Sequence, residues 1–231
     1  MEFHGINKTT LLDFPKHIAC TVFTGRCNLR CPFCHNGDLV LAPDSQPVIA
    51  EEAVISFLDR RKDTLEGICI TGGEPTLQKD LLPFLTKCKE MGYLTKLDTN
   101  GTRPDVIQAA LDAKLLDYIA MDIKNSPARY AETVGLSSVR FSAFEESVEL
   151  VKNCGLPYEF RTTVVKEFHT KEDFLAIGEW LKGAKTYALQ AFKDSGNLIQ
   201  PGLSGYSRDE LMAFRELLVP YFNEVLLRGI D

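Results

Sequence analysis

Several features are missing from this sequence, and each absence removes a class of function. No apolar run approaches the ~20 residues of a helical membrane span, so no membrane role is expected. Basic residues are not in excess: 26 Lys and Arg stand against 32 Asp and Glu, a formal net charge of −6, which leaves no electrostatic footprint for nucleic acid. The N-terminus has no apolar stretch of signal-peptide type, and Glu2 and Asp13 come early. Solenoid repeats and low-complexity segments are also absent. The seven cysteines cannot all pair, and a disulfide framework would need an oxidising compartment. A reducing cytoplasm fits these features. With 231 residues, 45% of them hydrophobic and 25% charged, the chain can bury a full core. It is expected to form one domain over residues 1–231.

What is present is concentrated in residues 27–34, Cys-Asn-Leu-Arg-Cys-Pro-Phe-Cys. Cys27, Cys31 and Cys34 lie close enough in sequence for one tight loop to wrap a small inorganic group. Thiolates are soft ligands, so iron–sulfur or zinc is the natural occupant. In closed structural or electron-carrying sites both usually take four protein ligands. The next cysteine is Cys69, far downstream and not part of a second pair. His35 follows Cys34 directly, and adjacent residues rarely reach the same metal. Three close thiolates without an evident fourth ligand point to a cluster with one iron open to a small molecule. A zinc knuckle is the alternative. Cys20, Cys69, Cys88 and Cys154 stand alone among apolar residues and are expected to be small buried hydrophobes.

Around this loop, strands and helices alternate. Apolar, β-branched runs predict strands at 17–24, 67–71, 93–98, 118–122, 158–165 and 186–192, with a short seventh at 225–228. Helical periodicity predicts helices over 50–62, 79–91, 104–113, 141–153, 171–181 and 208–221. Residues 38–48, with two prolines, predict an irregular connection, and 193–206 a loop. Six strand–helix units imply a parallel α/β sheet with right-handed crossovers, too few to close an eight-fold barrel. The expected architecture is an open partial (β/α)6 barrel. In such sheets the site gathers at the carboxyl ends of the strands. The polar motifs obey that rule: the cysteine loop, then Gly72-Gly73-Glu74-Pro75, then Asp98-Thr99-Asn100-Gly101, then Asp122-Ile123-Lys124.

The cysteine spacing, with Phe33 before the last cysteine, resembles the signature of the radical S-adenosylmethionine enzymes. That resemblance implies a 4Fe–4S cluster on Cys27, Cys31 and Cys34, in a cluster loop over residues 24–36, whose fourth iron chelates S-adenosylmethionine. One electron from the cluster then gives methionine and a 5′-deoxyadenosyl radical. Gly72, Gly73 and Glu74 are implied to meet the methionine amino group, and Phe33 to pack near the adenine. The Asp98–Gly101 and Asp122–Lys124 motifs resemble those of the glycyl-radical-enzyme activating enzymes. There Asp98, Thr99 and Asp122 would lie near a monovalent cation beside the methionine carboxylate, with Asp98, Asn100 and Lys124 positioning the methionine part. Two acids beside a carboxylate repel it, so a cation and Lys124 are expected between them.

Cys34-His35-Asn36 matches the same subfamily, and Leu12-Asp13-Phe14-Pro15 departs from it at Phe14. Arg161, inside a strand of Val and Thr, is expected to point at a ligand or an acid, and Gln190 and Phe192 end the sixth strand where some activating enzymes carry a histidine. The terminal residues 227–231 resemble those of anaerobic ribonucleoside-triphosphate reductase activating proteins. The implied function is therefore an activase. It cleaves S-adenosylmethionine reductively and places a radical on a glycine of a partner enzyme, with electrons from flavodoxin or ferredoxin. The sequence leaves open an activase of pyruvate formate-lyase type, a small-molecule enzyme such as a deazapurine synthase, and a non-catalytic metal-binding module.

Overall fold

The computed structural model describes residues 1–194 and 196–230. The chain begins with β1 (Glu2–Phe3), β2 (Gly5–Thr10) and β3 (Ala19–Thr24). After the cysteine loop come helix α1 (Gly37–Leu41), β4 (Ile49–Ala50), α2 (Glu51–Asp59), β5 (Gly67–Gly72), α3 (Leu81–Glu90) and β6 (Leu94–Thr99). The second half carries α4 (Pro104–Asp112), β7 (Tyr118–Asp122), α5 (Tyr130–Thr133), α6 (Phe141–Asn153) and β8 (Tyr158–Val164). It ends with α7 (Lys171–Trp180), β9 (Thr186–Ala191), α8 (Arg208–Leu218) and β10 (Glu224–Arg228).

Eight strands form the main sheet in the order β10-β9-β8-β7-β6-β5-β3-β2. All neighbours are parallel except the antiparallel edge pair β2–β3. From β3 to β10 each of six crossovers carries a helix, namely α2, α3, α4, α6, α7 and α8, which are the six units expected from the sequence. β10 and β2 lie at opposite ends of the order, so the sheet is open.

The reason for this layering is in the residues. β3, β5, β6 and β7 are almost continuously buried, as strands covered on both faces must be. α6 buries Ala143, Phe144, Ser147, Val148 and Val151, one stripe at helical spacing. α7 and α8 start at capping boxes, Thr170 with Asp173 and Ser207 with Glu210, so the sequence specifies where these helices begin. One cluster of buried apolar side chains runs through the whole sheet and its helices.

Five elements depart from the sequence expectation, among them β1 and β4, two-residue strands that pair antiparallel and are too short for a pattern to reveal. β2 was not anticipated, because Asn7, Lys8 and Thr9 are exposed at the sheet edge and carry no apolar alternation. α1 occupies part of the stretch expected to be irregular, with a single 3-10 turn at Pro43–Ser45 behind it. α5 is a single turn, too short for periodicity to reveal. No helix among the described residues is long and apolar enough to cross a membrane.

A candidate active site at the carboxyl ends of the strands

The parallel strands deliver their carboxyl ends to one open cavity of about 960 Å3. Its walls include Cys27, Cys31, Phe33 and Cys34 from the loop after β3, and Gly72, Gly73 and Glu74 from the end of β5. Asp98, Thr99 and Asn100 come from β6, Asp122 and Lys124 from β7, and Arg161 from β8. Every site residue expected from the sequence lines this one cavity.

The cysteine loop is pinned by its own backbone, with Cys34 N–H donating to the Cys31 carbonyl at 3.0 Å. Leu29 N–H and Asn100 Nδ2 donate to Cys27 Sγ at 3.4 and 3.6 Å. Such N–H···S bonds favour a thiolate and tune a cluster bound to it. Burial pushes the free thiols the other way, Cys27 to about 11 and Cys31 to about 12, with Cys34 raised as well. The three thiols therefore hold their protons more tightly than a free cysteine, and cluster binding must displace them. No three His, Cys, Asp or Glu side chains among the described residues meet as ligands of one ion. A 4Fe–4S cube takes each thiolate on a different iron, so three thiols spread around one cavity wall fit it. His35 is engaged elsewhere. Its Nε2 donates to the Lys193 carbonyl at 2.8 Å and its ring stacks on Phe192 at 5.6 Å. Phe33 is buried against Phe168 at 5.6 Å and His169 at 6.1 Å, which fixes its ring at the cavity wall.

The two glycines have a role that their sequence alone does not reveal. A Cβ on Gly73 would lie 2.0 Å from the Arg26 carbonyl oxygen, and Gly72 has φ +112° with the Thr24 backbone 2.4 Å from its missing Cβ. The strand end can therefore clasp the start of the cysteine loop. Gly73 N–H donates to the Thr24 carbonyl and Glu74 N–H to the Arg26 carbonyl, both at 2.8 Å. Asn36 Nδ2 closes the clasp by donating to the Gly72 carbonyl at 3.0 Å.

The Glu74 carboxylate is buried and largely satisfied by the protein. Its Oε1 accepts from Thr76 N–H at 3.1 Å, Thr76 Oγ1 at 2.5 Å and Thr99 Oγ1 at 2.8 Å. Among the described residues its Oε2 accepts only from Asn100 N–H, at 2.7 Å, which leaves a lone pair for a ligand donor. Burial raises Glu74 despite these donors.

Beneath the cavity runs a ladder of alternating charge across β6, β7 and β8. Lys96 Nζ donates to Asp98 Oδ1, and Arg161 Nη2 lies 3.0 Å from Asp98 Oδ2. Arg161 Nε donates to Asp122 Oδ1 at 2.5 Å, and Lys124 Nζ to Asp122 Oδ2 at 2.9 Å. Burial alone would raise both acids. Arg161 with Lys96 holds Asp98 below the ordinary carboxylate range, and Arg161 with Lys124 holds Asp122 well below it. Lys124 is raised, its burial outweighed by Asp122 and the nearby Cys31 and Cys34.

Of the residues expected at a monovalent-cation site, Asp98 and Asp122 face protein cations in the structure. Thr99 gives its hydroxyl to Glu74 and accepts from Gly101 N–H at 3.2 Å, while the positive charge between the acids is Arg161. Arg161 thus points at acids, as its strand position implied. Lys96 escaped the sequence reading. Its signal was a lysine two residues before Asp98 in a buried strand, which alternation places on the same face. Cys69, expected in apolar surroundings, instead lies 3.7 Å from Lys96 Nζ. Asp13 and Gln190 line the cavity too, and Asp13 Oδ2 accepts from Thr21 Oγ1 at 2.5 Å. Of the terminal motif, Arg228 makes a two-fold pair with Glu159 at 2.8 and 2.6 Å, and Asp231 lies outside the described residues.

Comparison with known proteins places the chain in a family. The radical SAM superfamily profile matches residues 21–181. A protein of Methanocaldococcus jannaschii, provisionally named a glycyl-radical enzyme activating enzyme, is 31% identical over 98% of this chain and 95% of its own. Pyruvate formate-lyase-activating enzyme of Clostridium pasteurianum is 29% identical over 80% of this chain and 77% of its own. Among solved structures, SuiB of Streptococcus suis bound to S-adenosylmethionine superposes with a TM-score of 0.70 at 17% identity. The superposition covers 89% of this chain and 49% of SuiB, so the chain spans about half of that protein. The chain belongs to the radical SAM superfamily and is an enzyme of the kind that uses a 4Fe–4S cluster and S-adenosylmethionine.

Proposed function

We propose that this enzyme activates a glycyl-radical enzyme, anaerobic ribonucleoside-triphosphate reductase first among the candidates. The observation that carries the reading is the gathering of the cysteine loop and both activase-type motifs, Asp98–Gly101 and Asp122–Lys124, on one open cavity. The near full-length likeness to an activating-enzyme relative supports it.

When bound, the reduced cluster supplies the electron that splits the sulfonium of S-adenosylmethionine, and the fragment released takes an α-hydrogen from a glycine of the partner. The residues of the chain do the rest. Cys27, Cys31 and Cys34 would hold the cluster, and Asn100 Nδ2 donates to the Cys27 sulfur. Lys124 spends one donor on Asp122 and keeps two for the methionine carboxylate. Glu74 Oε2 and the neighbouring Gly72–Gly73 backbone take the amino group, and Phe33 bounds the adenine. The electron donor is a flavodoxin or a ferredoxin, and residues 1–231 act as one domain.

The test is electron paramagnetic resonance. The anaerobically reconstituted enzyme is mixed with reductant, S-adenosylmethionine and each candidate partner in turn. A glycyl doublet with the ribonucleotide reductase supports the full proposal. A doublet only with pyruvate formate-lyase keeps the activase and changes its partner. Turnover of a purine precursor with no doublet from any partner contradicts it.

A further inference from the structure

The charge ladder under the cavity does more than seat a carboxylate. Each of the four oxygens of Asp98 and Asp122 already faces a protein cation: Lys96 and Arg161 on Asp98, Arg161 and Lys124 on Asp122. Thr99, the remaining oxygen donor of the expected cation site, is turned to Glu74. A sodium or potassium ion between these acids would have to displace Arg161 or Lys96, and both are tied into the strands beneath. Lys96 is 1% exposed and also donates to Cys69 Sγ at 3.7 Å, with the Tyr118 ring 5.6 Å from its ammonium.

We infer that Lys96, acting with Arg161, is a built-in replacement for a monovalent cation, so that this enzyme seats S-adenosylmethionine without one. Lys96 is a positioning residue: it holds Asp98, Asp98 holds Arg161, and Arg161 with Asp122 aims Lys124 into the cavity. The ladder reads plus, minus, plus, minus, plus, and its surplus positive charge suits one added carboxylate. Fixing that charge covalently removes the entropy of recruiting an ion and any dependence on salt composition. The assignment rests on the reading that this cavity seats S-adenosylmethionine.

The experiment uses the anaerobically reconstituted enzyme in chloride salts of potassium, sodium and tetramethylammonium at equal ionic strength. Two quantities are read: the melting temperature without nucleotide, and the equilibrium affinity for S-adenosylmethionine. For the native chain, affinity should agree within about twofold across the salts. Its melting temperature should show no saturable rise with potassium or sodium, since an ion that binds only the folded state would produce one. Lys96→Met leaves Asp98 Oδ1 without its cation, and affinity in tetramethylammonium should fall by about tenfold or more. Potassium or sodium should recover most of that loss by entering the vacated place, which lost packing alone would not allow. Lys96→Gln retains a donor without the charge and serves if the methionine variant fails to fold. The inference is overturned by a saturable, ion-specific stabilisation of the native chain. It is also overturned by a Lys96 variant that binds normally in tetramethylammonium. Binding in no salt at all refutes the cavity reading instead, and the melting curves still decide the cation question.

Discussion

Cys31 is the most enclosed of the three cluster thiols, and Cys154 is half-buried beyond the cavity lining. Cys31→Ala removes one iron anchor and should leave a chain that folds but retains no reducible cluster after gel filtration. Cys154→Ala should retain iron, sulfide and activity at native levels, measured in the same way. The acids behave by a different rule. Asp98 and Asp122 are held below the ordinary carboxylate range, so their ion pairs stabilise the fold above about pH 4, and that stability is lost as acid protonates them below it. Asp122→Asn leaves Arg161 and Lys124 underpaired in a buried place and should cost about 3 kcal/mol at pH 7 in urea melts. The variant should also lose stability less steeply than the native chain as the pH falls below about 4.

At the level of elements, the site depends on how closely the end of β5 approaches the loop after β3. Gly73→Ala places a methyl group on the Arg26 carbonyl and must push the cysteine loop outward. The expected result is a destabilisation of about 2 kcal/mol in thermal or urea melts, with iron content falling together with it. Asn36→Ala should be milder, since it removes only the side-chain bond to the Gly72 carbonyl. These contacts explain what the sequence could and could not reveal. The six crossovers were legible because buried parallel strands read as apolar runs and their helices as amphipathic stripes. The cysteine loop and the acid motifs were legible because strand ends are where such residues gather. β2 was not, since an exposed edge strand of Asn, Lys and Thr pays no tribute to apolar alternation. Nor was the clasp of Gly72 and Gly73 against Thr24 and Arg26, which depends on two segments far apart in sequence meeting backbone to backbone. The role of Lys96 was hidden for a similar reason: the strand pattern shows which face it occupies, while Arg161, the second cation on their shared partner Asp98, comes from β8.

The whole molecule is an open parallel sheet with its polar residues delivered to one mouth. A parallel sheet sets all its carboxyl ends to the same side, so a loop holding a cluster, a carboxylate subsite and an amino subsite can come from strands far apart in sequence. The open sheet leaves that mouth wide, and a flexible protein loop carrying a glycine could enter it as readily as a small molecule. Everything proposed for the partner depends on a more basic claim, that three thiolates of this loop hold a cluster able to cleave S-adenosylmethionine. The most direct measurement is the yield of 5′-deoxyadenosine from the anaerobically reconstituted, reduced enzyme, read by liquid chromatography beside the Cys31→Ala variant. The account predicts nucleoside formation from the native chain in step with its cluster content, and none above background from the variant. A native enzyme carrying a full reducible cluster that forms no 5′-deoxyadenosine, or a variant that forms as much, would contradict it.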